Sequence, residues 1–193
     1  MNSRIYSHQQ EELAKVSRPH RKTVQMLKDL IRVNKDRITG YEKAAYQENK
    51  SQQENNQIEK GNQIEKGMDP DLRNMLNSMA ITSRSYVNDL HAEVIRLGGA
   101  PVTQDTISGQ FYLLWLDCQV APPAASSDLS LLLDACLGGE EAVQKVYRQA
   151  LDNADDWPDN ILHLLERQLG DLERAHAQLK NIRNASGDNY RSL

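Results

Sequence analysis

Apolar positions recur along most of this chain at alternating steps of three and four, the spacing that places side chains on one face of an α-helix. The first stripe is Val24, Leu27, Ile31, Ile38, Tyr41 and Ala45, with Asn34 filling one slot, and it predicts a helix over about 19–48. The second is Leu72, Leu76, Met79, Ala80, Val87, Leu90, Val94 and Leu97, and it predicts a helix over about 69–97. Asp69 suits the N-cap, and Pro70 suits the first helical position, where its missing N–H would have no partner anyway. Gly98-Gly99 with Pro101 behind them is a stop signal. Residues 105–119 read as a shorter helix carrying Phe111, Leu114, Trp115 and Cys118, broken by Pro122-Pro123. A third stripe, Leu129, Leu132, Cys136, Val143, Val146, Tyr147 and Ala150, predicts a helix over about 128–152. Gly138-Gly139 in its interior costs ~1 kcal/mol per glycine, and a bulge or a close helix approach would account for the pair. The fourth stripe, Leu162, Leu165, Leu169, Leu172, His176 and Leu179, predicts a helix over about 158–184.

The stretch 49–68 differs in kind. It is rich in Gln, Asn, Glu and Lys and holds a tandem hexapeptide, Asn56–Gly61 repeated as Asn62–Gly67. A period of six cannot keep one face of a 3.6-residue helix buried, so this is a polar loop insertion. Residues 1–18 and 185–193 are expected to be flexible extensions. No segment reads as a strand. The pattern predicts an all-α protein, a four-helix bundle over 19–184. The link between the second and third long helices is about 28 residues, enough to traverse the bundle. That is the ferritin-like arrangement with one long crossover, here containing the short extra helix.

Composition narrows the function classes. At 193 residues, 39% hydrophobic, 26% charged and 5% aromatic, the chain supports one narrow core. A net charge of -4 argues against a nucleic-acid surface, which needs a basic stripe. The basic run Arg18, His20, Arg21, Lys22 reads as a solvated helix start. Cys118 and Cys136 have no metal-ligand spacing, and Cys136 falls on an apolar face as a buried thiol, which suits a reducing cytoplasm. Met1 to Gln10 has no apolar stretch of the signal-peptide kind. The longest apolar run, Phe111 to Leu116, is far short of the ~20 residues a membrane helix needs. A phosphate-binding glycine loop, a nucleophile elbow and zinc-type cysteine pairs are all missing.

The blocks Leu27–Ala44, Leu90–Pro101 and Gly139–Leu151, together with the fourth helix, resemble an uncharacterised bacterial family of unknown function with a ferritin-like four-helix bundle. The resemblance covers about 24–184. It implies the fold and implies no activity, and the tandem hexapeptide departs from the family's short first connection.

One motif bears on chemistry. Glu173 and His176 form a Glu-x-x-His on the fourth helix, the unit with which ferritin-like bundles hold half of a two-metal site. Glu42 on the first helix and Glu140, or its neighbour Glu141, on the third could add carboxylates. The second helix should supply another Glu-x-x-His, but Glu93 is followed three residues later by Arg96, and His91 is preceded by Asn88. The ligand set Glu42, Glu140, Glu173 and His176 is therefore incomplete. Asn34 on the first seam reads as a buried polar group that fixes helix register, with Tyr41 and Tyr147 placed to hydrogen-bond such groups.

The reading that follows is a non-catalytic cytoplasmic helical-bundle protein, with no cofactor expected; a stress-related role is fold-level analogy alone. A second reading is a ferritin-like metal-binding protein or di-metal oxidase using iron or manganese. A third is a protein–protein adaptor. Phe111, Tyr112, Trp115 and Leu116 are apolar around more than one helix face, which predicts a contact surface and a homodimer.

Overall fold

The computed structural model describes residues 20–55, 70–102, 129–154 and 156–188. They form four helices: α1 (Arg21–Asn55), α2 (Pro70–Arg96), α3 (Leu129–Asp152) and α4 (Asp159–Asp188). The described residues contain no strand. α1 continues to Asn55, into the start of the stretch read as a loop, and α4 continues to Asp188, into the stretch read as a tail. The hexapeptides and the short helix expected at 105–119 lie outside the described residues. α3 passes unbroken through Gly138 and Gly139, without the bulge that the pair suggested, and Gly139 is buried.

Two apolar clusters fix the helix directions. In one, Val24, Leu27 and Ile31 of α1 meet Leu90 and Val94 of α2, Val143 and Ala150 of α3, and Ile161 and Leu165 of α4. In the other, Tyr41 and Ala45 meet Leu72 and Leu76, Leu133 and Cys136, and Leu179. Residue numbers thus rise in the same direction in α1 and α4 and in the opposite direction in α2 and α3. α1 packs most closely on α2, α3 on α4, and α1 also on α3. α2 ends in the first cluster, with Leu97, whereas α3 begins beside the second, with Leu133. The chain between α2 and α3 therefore joins opposite ends of the bundle. No helix among the described residues is long and apolar enough to cross a membrane.

α2 stops as its sequence requires. Gly98 N–H donates to Ile95 O at 2.9 Å and Gly99 N–H to Val94 O at 2.9 Å, the paired bonds of a Schellman cap. Gly98 takes φ +81°, a conformation open to glycine at little cost. Beyond the cap, Val102 N–H donates to His91 Nε2 at 3.3 Å, tying the outgoing chain back to α2.

The core departs from the sequence-based stripes at particular slots. Ile38 is only partly buried, and Arg37, one residue earlier, is 1% exposed. Leu133 takes the place expected for Leu132, and Gln168 that of Leu169. In each case a neighbouring residue fits the same alternation of three and four, and packing selects between them. Each substituted polar residue has a partner on another helix, which a sequence stripe cannot reveal.

Candidate functional site

Between the two apolar clusters runs a buried polar layer built from all four helices. α1 supplies Asn34, Arg37 and Tyr41, spaced by three and four so that they share one face. α3 supplies Glu140, Gln144 and Tyr147 with the spacing four and three. α2 adds Ser83 and Tyr86, and α4 adds Gln168.

The centre of the layer is an ion pair. Arg37 Nε donates to Glu140 Oε1 at 2.5 Å, and the Tyr41 hydroxyl donates to the same oxygen. Glu140 is fully buried. Arg37 Nη1 donates to Ser83 Oγ at 2.6 Å, and the Ser83 hydroxyl donates in turn to Met79 O at 2.7 Å. The guanidinium lies 5.2 Å from the centroid of the Tyr41 ring, within cation–π range. Burial alone would make Arg37 easier to deprotonate, but the Glu140 charge and hydrogen bond and the adjacent Tyr41 outweigh it, so its pKa rises and the cation is held. Tyr41 is pushed well above its usual value, first by burial and then by the Glu140 charge.

A neutral chain adjoins this pair. Asn34 Nδ2 donates to Leu30 O and to the Tyr147 hydroxyl, both at 2.8 Å, and Tyr147 donates to Gln168 Oε1 at 2.8 Å. Gln144 Nε2 reaches Leu172 O at 3.4 Å. Tyr86 donates to Asp171 Oδ2 at 3.0 Å, at the edge of the layer. Within the layer, Glu140 Oε2, Asn34 Oδ1 and Gln168 Nε2 are buried and have no hydrogen-bond partner among the described residues.

The four candidate metal ligands are not gathered at one point. Glu140 is enclosed by Arg37 and Tyr41. Glu42 is half exposed and pairs with Arg84 across α1 and α2. Glu173 is equally exposed and accepts from Arg148 Nη2 at 2.7 Å. His176 is partly buried, with Nε2 3.4 Å from Glu141 Oε1. Glu173 and His176 stand on one helix three residues apart, yet they face different neighbours. Among the described residues no group of three or more His, Cys, Asp or Glu side chains is placed to hold a metal ion. Nor do these four candidates fit a two-metal carboxylate centre: Glu140, the fully buried carboxylate among them, already carries a guanidinium, and a metal ion beside it would meet that cation. Phe111, Tyr112, Trp115 and Leu116, the expected contact surface, lie outside the described residues.

Arg37, Ser83, Gln144 and Gln168 escaped sequence reasoning. For Arg37 a signal was present: it lies three residues after Asn34 and four before Tyr41, both on the inward seam, as regular a step as Ile38 offers. An arginine is so rarely buried that the apolar neighbour takes precedence in any reading of pattern alone.

No curated protein and no solved structure matches this chain. A family match spans α2 and α3, and with them Ser83, Glu140, Gln144 and Tyr147 of this chain, whereas Asn34, Arg37, Tyr41 and Gln168 lie outside it. Residues 61–153 match the family model of a domain of unknown function, DUF2383.

Proposed function

We propose that this chain is a non-catalytic, cytoplasmic helical-bundle protein of ferritin-like topology, acting as a homodimer, in which an internal ion pair stands where relatives of that topology carry metal. The observation that carries the reading is Arg37 on Glu140. A ferritin-like centre needs inward carboxylates left open to cations. Here the inward carboxylate is taken by a fixed positive charge from the same chain, and the other three candidate ligands are engaged elsewhere. The topology supports the analogy: α2 and α3 run the same way, so their connection joins opposite ends of the bundle, as a single long crossover does. The same layer offers no substrate-binding nucleophile or open acid–base pair, which favours a structural or partner-binding role over catalysis.

Elemental analysis of protein purified without chelator tests this reading, together with thermal melts in added iron or manganese. The expected result is sub-stoichiometric metal and an unchanged melting temperature. Two metal ions per chain, lost in a Glu173→Ala/His176→Ala variant, would overturn it in favour of a di-metal oxidase.

A further inference from the structure

We propose that the outward face of α2 is a self-pairing surface, on which a second copy of this chain docks helix against helix. Ser78, Ile81, Ser85, Asn88, Ala92 and Ile95 follow one another at steps of three and four, and all six are exposed. That spacing makes a continuous stripe of the coiled-coil type, about 26 Å long at the helical rise. It lies opposite the buried stripe that includes Met79, Ser83, Leu90 and Val94.

Two properties set this face apart. Ile81 and Ile95 are the large apolar side chains left exposed among the described residues, at 64% and 57%. The six residues of the stripe carry no charge, and the exposed Arg84 and Arg96 beside it are each paired with a carboxylate, Glu42 and Glu93. The exposed positions of α3 include Asp134, Glu141 and Arg148, and those of α4 include Glu166, Arg167 and Arg174.

The missing charge points to a copy of the same chain. A two-fold contact sets a patch against itself, so a charge within it meets its own sign. Asn88 and Ser85 each carry both donor and acceptor and so can satisfy their own counterparts. An Asn between the apolar positions of a helix seam fixes register at some loss of stability. The small Ser78, Ser85 and Ala92 let the two helix axes approach to the short end of the usual 8–10 Å range, roughly. One helix pair falls at the low end of specific interfaces, below about 1,200 Å², so the dimer should dissociate on dilution.

This rests on the reading of the chain as a homodimer and assigns that contact to α2. Sedimentation velocity across the micromolar range tests it, on wild type, on Ile81→Glu/Ile95→Glu and on Tyr112→Glu/Leu116→Glu, with circular dichroism as the folding check. The expected result is a wild-type dimer, a helical monomer for the α2 variant, and a dimer for the Tyr112/Leu116 variant. A wild-type monomer would overturn the homodimer reading and this proposal together. A dimer that persists in Ile81→Glu/Ile95→Glu overturns this proposal alone. If that variant does not fold, Asn88→Cys in a Cys118→Ser/Cys136→Ala background replaces it. A short bis-maleimide should then join two chains, and failure to cross-link sinks the assignment.

Discussion

Arg37 and Glu140 illustrate how asymmetric a buried ion pair is. Removing two charges from water takes several kcal/mol per ion, and their attraction repays this only with good geometry and further hydrogen bonds. Here Ser83 and Tyr41 provide such bonds, while Glu140 Oε2 has none among the described residues. Breaking the pair should therefore be far worse than replacing it whole. Arg37→Met, which strands the Glu140 carboxylate, should destabilise the protein by ~3–5 kcal/mol. Arg37→Met/Tyr41→Phe/Glu140→Leu, which removes all the polar partners together, should return to within ~1–2 kcal/mol of wild type or exceed it. Urea denaturation of both variants decides; a triple variant weaker than the single would show that the layer contributes net stability. The tyrosines add a pH dependence. Tyr41 is raised by burial and then by Glu140, Tyr86 by burial and then by its bond to Asp171, and Tyr147 by burial. A raised pKa means that the folded chain keeps a proton which the unfolded chain releases. Stability should then be level with respect to these groups below the ordinary tyrosine value of about 10 and fall as pH rises beyond it. Denaturant midpoints on either side of that value should show the decline, with a shallower slope in Tyr41→Phe; equal slopes would remove Tyr41 as a cause.

At the scale of the element, α2 is the helix whose ends and inward face the sequence states most fully. Leu72, Leu76, Met79, Ala80, Val87, Leu90, Val94 and Leu97 are all buried as their spacing predicts. The helix starts at Pro70 and is capped by Gly98-Gly99. α1, α3 and α4 are less legible, because each has two neighbouring residues that both continue the alternation of three and four, and in α1 and α4 the buried one is polar. The choice of Arg37 over Ile38, or Gln168 over Leu169, depends on Glu140 and Tyr147, which sit on another helix. The same limit applies to the polar layer: Glu140 is legible as a carboxylate beside the third stripe, but its partner cation is not. The glycines offer a graded test of the cap. Gly98→Ala forces a side chain into a left-handed conformation and should lose ~1–2 kcal/mol. At Gly99 a Cβ would sit 2.8 Å from Val24 Cγ1 and 3.1 Å from Val94 O. The backbone oxygen cannot move aside cheaply, so Gly99→Ala should lose ~1–3 kcal/mol by overpacking between α1 and α2. In α4 a Cβ on Gly170 would meet only Arg174 Nη1, at 3.6 Å, and Gly170→Ala should gain ~0.5–1 kcal/mol from helix propensity. Melting curves of the three would test the order; a neutral Gly99→Ala would mean that the α1–α2 contact is looser than described.

At the scale of the whole molecule, two antiparallel hairpins share one polar layer, and the bundle is held by contacts between residues far apart in sequence, such as Asn34 with Tyr147 and Arg37 with Glu140. Connections that do not enter this core should therefore be replaceable. The link between α1 and α2 is the case to try. α1 meets Leu72 and Leu76 at the level of Ala45 and then runs ten residues further to Asn55, a rise of about 15 Å beyond the contact. Fourteen residues connect Asn55 to Pro70, and deleting Asn62–Gly67 leaves eight. Eight residues can span up to ~26–29 Å, comfortably more than the overhang. Shortening the link by less than half changes closure entropy by less than ~0.6 kcal/mol. For a chain of this size that corresponds to a shift in melting temperature of no more than ~1–2 °C. The deletion should thus leave the melting temperature, the helical content and the sedimentation of the protein essentially unchanged. A fall of ~10 °C or more, equivalent to several kcal/mol, would show that the repeated hexapeptide packs against the bundle and belongs to its core rather than to its connection.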